Sequence, residues 1–140
     1  MMKKKNRSSG DSKGKKQQRL NAAVAAAVKY IEACFEQPIK LADIACAAKL
    51  SAWRLGHLFV EEMGVTPIEY LNGVRIEHAK RLLSGTDYSG TKISYLVGYN
   101  SQSYFIRAFK RREGMTPEQF RQSGQKPLRN SAAKSHRRRR

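Results

Sequence analysis

With 140 residues and 28 Lys/Arg against 11 Asp/Glu, the chain is one small domain carrying a formal charge of +17, a balance that points to anionic partners. The charge is uneven: residues 1–19 hold eight Lys/Arg and one Asp, residues 125–140 hold seven Lys/Arg and no acid, and residues 20–124 hold thirteen basic and ten acidic residues. Both ends are also poor in apolar residues, the composition of disordered arms, so the folded part is expected between Leu20 and Gly124.

Such arms favour nucleic acid through counterion release, without reading sequence. A solubilising tail or a contact with an anionic membrane surface is the alternative for the same composition. Leu20, Val24, Ala27, Ile31 and Phe35 recur at three- and four-residue steps, which predicts an amphipathic first helix ending before Pro38. Its AAVAAAV run after a basic start mimics a secretory signal. The run is only seven residues and Lys29 stops it, so no export and no membrane span are expected. Cys34 and Cys46 lack metal-ligand spacing and read as small buried hydrophobes in a reduced cytosol.

The next segment, LADIACAAKLSAWRLGHLFVEEMGVTPIEYL, has the parts of a helix-turn-helix: a helix near Leu41–Ala48, a polar cap at Ser51, and a second helix to about Met63. Leu55, Leu58 and Phe59 face inward; Ala52, Trp53, Gly56, His57 and Val60 face outward. Thr66-Pro67 then opens a long helix, Pro being well placed in a first turn. Ile68, Leu71, Val74, Ala79 and Leu82-Leu83 give that helix an apolar stripe to about Ser84.

A second copy follows. Ser51, Leu55, Phe59, Gly64, Thr66, Pro67 and Tyr70 each lie 50 positions before Ser101, Phe105, Phe109, Gly114, Thr116, Pro117 and Phe120, and Ile44 precedes Ile93 by 49. Two copies of one supersecondary unit therefore share the chain. The second has a helix near Lys92–Val97, a helix capped by Ser101, and a last short helix near Pro117–Gln122. Phe105 and Phe109 pack inward, leaving Gln102, Ser103, Ile106, Arg107 and Lys110 outside. Those outward groups are of the kinds that pair with base edges and phosphates.

Ile93, Gly98-Tyr99, Ser101, Ser103, Phe105, Arg107, Phe109-Lys110, Gly114-x-Thr116-Pro117 and Phe120-Arg121 closely resemble the signature of the AraC/XylS family of bacterial transcription regulators. The similarity runs from about Leu20 to Arg121. It implies an all-α fold of about seven helices, with two helix-turn-helix subdomains over 20–66 and 86–124 and a linker helix over 67–85; composition adds the disordered basic arms over 1–19 and 125–140. It also implies a regulator of double-stranded promoter DNA, in the bacterial cytoplasm at the nucleoid, acting more often as an activator than as a repressor by recruiting or positioning RNA polymerase. In the family's stand-alone members a monomer sets two recognition helices in successive major grooves, and an initiating Met together with basic arms at both ends favours the stand-alone type over the reader half of something larger.

Carried over by position, Trp53, Gly56 and His57 are the base-facing candidates of the first recognition helix, and Gln102, Ser103 and Arg107 those of the second. For Arg107 the alternatives are a phosphate contact or an internal salt bridge; for Trp53, a partly exposed structural role. Ser51, Arg54, Ser101, Lys110, Arg111 and Arg112 are candidates for the DNA backbone. The chain departs from the family pattern at Gly56 and His57, where a polar residue and an Arg are usual. Gly90 and Ser94 replace an aliphatic residue and Ala and are expected to thin the second core; Glu113 replaces an aromatic and must reach solvent or an Arg.

Catalysis would need converging nucleophiles, acids or metal ligands. His57, His78 and His136 are far apart in sequence and no phosphate-cradling Gly loop is present, so no catalytic residue, metal or cofactor is expected. Two other function classes fit the composition: a non-specific nucleic-acid packager driven by the arms, and a protein-interaction module that uses the helix surfaces.

Overall fold

The structure, a computed structural model, describes the backbone of residues 2–125 and the side chains of 14–124. The basic tail expected after Gln125 lies outside the described residues. Among these residues there are seven helices and no strand: α1 (Met2–Cys34), α2 (Leu41–Ala48), α3 (Ala52–Met63), α4 (Pro67–Gly85), α5 (Gly90–Leu96), α6 (Gln102–Glu113) and α7 (Pro117–Gln125). The all-α architecture with two helix-turn-helix units is the one expected. Packing divides it into two units. One holds α1, α2, α3 and α4 through Leu71; the other holds Phe35–Pro38 and, among the described residues, the chain from Asn72 to Gln125. The division falls inside α4 and not at its ends.

In the first unit, α1 buries Val24, Ala27 and Ile31, α2 buries Ile44, Ala45 and Ala48, and α3 buries Leu55 and Phe59. The α1 stripe is the predicted one, with Leu20 only half-buried. The helix itself begins at Met2, where composition predicts a disordered arm through Arg19. Lys, Arg and Gln lose little side-chain freedom in a helix, and the segment has no Pro. A helix started by packing near Val24 can therefore continue backward with residues 14–19 fully exposed. Cys46 is exposed and Cys34 half-buried, so the expectation of two buried thiols fails: Cys46 falls on the outer side of α2, away from Ile44, Ala45 and Ala48. Lys49 ends α2 in the left-handed region, φ 59°.

The turn from α3 into α4 is fastened by reciprocal side-chain caps. Thr66 N–H donates to Glu69 Oε1 at 2.8 Å, and Glu69 N–H donates to Thr66 Oγ1 at 3.1 Å. Tyr70, one turn into α4, packs edge-on against Phe59 and donates its hydroxyl to Glu32 Oε2 on α1 at 2.7 Å.

The second unit buries Ile93, Val97 and Tyr99 around Phe105 and Phe109 of α6, with Ile76, Ala79 and Leu83 of α4. Ser94 is fully buried, its hydroxyl donating to Thr91 O at 2.7 Å. Gly90 is the first residue of α5; a Cβ there would lie 3.8 Å from Gln102 Nε2. Glu113 stays half-buried and pairs with Lys80 Nζ of α4 at 3.2 Å, so the compensating cation is a Lys and not the expected Arg. Ser89, a cap that the sequence pattern does not mark, accepts from Lys92 N–H at 3.0 Å and starts α5 two residues early.

Arg75 sits on the buried stripe of α4, 7% exposed. Its Nε donates to Phe35 O and its Nη2 to Gln37 O, both at 2.8 Å, and its guanidinium lies 5.1 Å from the centre of the Tyr99 ring. Desolvation pulls its pKa below the usual Arg value, and two carbonyls with an aromatic face replace the lost water. Phe35 stacks on His78 next to it, with ring centres 4.1 Å apart. Gly98, at φ +103°, completes the clamp: a Cβ there would collide with Phe35 O and lie 2.8 Å from Arg75 Nε.

Gly98→Ala is therefore expected to destabilise the protein by about 3 kcal/mol in urea unfolding, combining left-handed strain with loss of a charge-assisted hydrogen bond. Tyr70 yields a pH prediction. Desolvation first, then its bond to Glu32, push the phenol pKa from 10.0 up to about 12. The folded state thus holds this proton more tightly than the unfolded chain, so the stabilisation is complete below pH 10 and is lost as pH rises through about 12. Tyr70→Phe should flatten the fall in Tm across that window.

Candidate nucleic-acid interface

Helices α3 and α6 are twelve residues each and share the 50-residue register. Both open on a serine whose hydroxyl accepts from the backbone three residues on: Ser51 from Arg54 N–H at 3.1 Å, Ser101 from Tyr104 N–H at 3.2 Å. Both close on a left-handed glycine, Gly64 and Gly114, where other residues would be strained. Burial repeats position by position. Leu55 and Phe59 match Phe105 and Phe109 inside; Trp53, Arg54, His57 and Val60 match Ser103, Tyr104, Arg107 and Lys110 outside.

The two outward faces differ in chemistry. On α6, Ser103 and Arg107 are exposed one turn apart, and Lys110, Arg111 and Arg112 fill the last turn. Among the described residues the ion pairs are those of Lys80 with Glu77 and Glu113, so the internal salt bridge considered for Arg107 does not form. Gln102 is half-buried beside Gly90 at the start of α5. Arg112 is exposed, and its guanidinium carbon lies 3.0 Å from where a Cβ on Gly73 of α4 would sit.

On α3 the last turn has no basic residue. Trp53 is 72% exposed and packs on His57, with ring centres 4.1 Å apart and planes 35° from parallel. Gly56 is open: a Cβ there would have nothing within 4 Å. Arg54 is exposed.

Tyr104 is an outward residue that motif matching misses. It is 42% exposed, and its hydroxyl accepts from Asn72 Nδ2 at 3.3 Å, while Asn72 Oδ1 accepts from Tyr99 Oη at 2.7 Å. The repeat alone points to it, because it occupies the register of Arg54. Among the described residues no cluster of His, Cys, Asp or Glu could hold a metal ion, and no helix is long and apolar enough to cross a membrane.

A family model described as a helix-turn-helix domain matches residues 44–123, which takes in both units' helix-turn-helix segments. The chain belongs to the AraC family of helix-turn-helix transcription regulators. It is 33% identical over 106 residues to the probable transcriptional regulator LumQ of Photobacterium leiognathi, covering 76% of this chain and 42% of LumQ. The chain thus spans less than half the length of the curated relatives it matches first. Among solved structures it is similar to the C-terminal domain of AraT, a response regulator from Geobacillus stearothermophilus, with TM-score 0.69 and 33% identity over 72% of this chain and 84% of that one. An AraC-type transcriptional regulator from Chromobacterium violaceum gives TM-score 0.69 and 28% identity over 76% of this chain and 96% of that one.

Gly56 supplies a test of what the α3 surface is shaped for. A methyl group there meets open space and removes glycine's helix penalty, so Gly56→Ala should stabilise the protein by about 0.5–1 kcal/mol in urea unfolding. If the glycine serves close approach to DNA, the same variant binds DNA more weakly.

Proposed function

We propose that this AraC-family chain reads a double-stranded DNA sequence through α3 and α6, acting by binding and not by catalysis, with no cofactor. The observation that carries the reading is the matched register. Two capped helices expose Trp53 and His57 on one and Ser103 and Arg107 on the other at equivalent positions, while Leu55, Phe59, Phe105 and Phe109 between them are buried. Arg107, exposed and without an ion-pair partner among the described residues, is the candidate for a bidentate contact to guanine O6 and N7. Trp53 would lie on thymine methyls or sugars. Ser51, Ser101, Arg54, Lys110, Arg111 and Arg112 would hold phosphates.

In this reading a monomer occupies an asymmetric site whose two blocks are about one helical turn, or 10 bp, apart. The protein works in the cytoplasm, near the nucleoid, more often to activate than to repress, with RNA polymerase as its second partner. The basic ends add affinity without adding specificity.

Selection from randomised duplexes at about 0.2 M salt, which suppresses binding held by phosphate contacts alone, tests the proposal. An asymmetric motif with two blocks should emerge. Arg107→Ala should relax one block, at a loss of about 1–3 kcal/mol for the preferred base pair. If no sequence is enriched and affinity depends only on salt, the reading gives way to non-specific packaging driven by the charged ends.

A further inference from the structure

We propose that His57 selects an exocyclic amino group in the major groove, the N4 amine of cytosine or the N6 amine of adenine, and disfavours guanine. The inference rests on the reading of α3 as a groove-facing helix.

It starts from one hydrogen bond. His57 Nδ1 lies 2.9 Å from the backbone oxygen of Trp53, one turn earlier in α3. A carbonyl oxygen only accepts, so Nδ1 must carry the hydrogen. In a neutral imidazole that leaves Nε2 as a bare acceptor. The Trp53 ring, 4.1 Å away across the imidazole face, restricts rotation of the ring out of this arrangement. His57 is exposed, and among the described residues no donor engages Nε2. The helix therefore presents a fixed lone pair on its outward side.

Every base pair carries one exocyclic amine in the major groove, so the acceptor sorts the bases of the strand it contacts. In the major groove, cytosine N4 and adenine N6 are the donors, whereas guanine N7 and O6 and thymine O4 are acceptors that face a lone pair unfavourably. Arg107 occupies the equivalent register on α6, and a guanidinium can only donate. The two recognition helices thus carry opposite hydrogen-bonding polarity at matched positions. A donor at one and an acceptor at the other lets one duplicated scaffold ask for guanine in one block and for an amino-bearing base in the other.

The test is duplex selection with the full chain at about pH 8, where imidazole is ordinarily neutral, comparing wild type, His57→Ala, His57→Lys and Arg107→Ala. Wild type should show one position favouring cytosine or adenine by about fivefold. His57→Ala should bring that preference within about twofold, and His57→Lys, a pure donor, should turn it to guanine. Replacing the preferred adenine by unsubstituted purine, or the preferred cytosine by pyrimidin-2-one, deletes the amino group; it should weaken wild-type binding about fivefold and leave His57→Ala unchanged. A wild-type preference for guanine or thymine at the His57-dependent position overturns the inference, as does an unchanged preference in His57→Ala. If Arg107→Ala relaxes a block while His57→Ala relaxes none, this inference alone fails. No enriched block with any of the four proteins overturns both it and the reading beneath it.

Discussion

A buried guanidinium organises the second unit. Helix α1 ends at Cys34, and the carbonyls beyond its last turn have no partner within the helix. Arg75 reaches Phe35 O and Gln37 O and gives them charged donors, which also suits the negative end of a helix. Once that side chain is in place its neighbours are constrained. Gly98 must lack a side chain, Tyr99 must lie beneath the guanidinium, and Tyr99 Oη then reaches Asn72, which in turn donates to Tyr104 on α6. The outward surface of α6 is tied by four consecutive contacts to the chain just after α1. Arg121 of α7 does the same work at the end of α4, donating to Leu83 O, Thr86 O and Tyr88 O. The connections ahead of α2 and ahead of α5 are thus each held by an Arg from a later helix.

Against this common frame the outward chemistry of the two copies has diverged. One presents a Trp–His stack beside an open glycine; the other presents hydroxyl and guanidinium groups above a basic last turn. Divergence is inexpensive because the core positions are separate from it. Leu55 and Phe59, like Phe105 and Phe109, are fully buried, and the caps are made by Ser51, Ser101 and the Thr66–Glu69 and Thr116–Gln119 pairs. None of these depends on which side chain stands at 53, 57, 103 or 107.

The fold was legible in the sequence wherever a pattern repeated. The 50-residue register located α3 and α6, because a serine cap, two inward apolar residues and a terminal glycine are local signals that tertiary packing does not override. What escaped was charge in apolar settings. Arg75 lies on a stripe otherwise made of Leu71, Ala79 and Leu83, and nothing in hydrophobic periodicity marks an Arg there as buried; its partner Phe35 lies 40 residues earlier in the chain. Cys46 was misplaced for the complementary reason: in a helix rich in Ala, small residues do not say which side faces in. Of the candidate interface, the sequence placed Trp53, His57, Ser103 and Arg107 outward, as they are, but it did not show that Gln102 is half-buried, that the Arg112 guanidinium lies close to Gly73 or that His57 bonds to the Trp53 carbonyl.

The two units are interleaved along the chain. Phe35–Pro38, four residues placed between α1 and α2, pack with the second unit, and α4 passes from one unit to the other at Leu71. No single scission can therefore release either unit whole. A cut before α5 strips Arg75 of Gly98 and Tyr99, and a cut before α2 takes away the carbonyls that Arg75 holds. The chain looks like two helix-turn-helix units in tandem, but as a polypeptide it is indivisible, and a half of it expressed alone would lack part of a clamp.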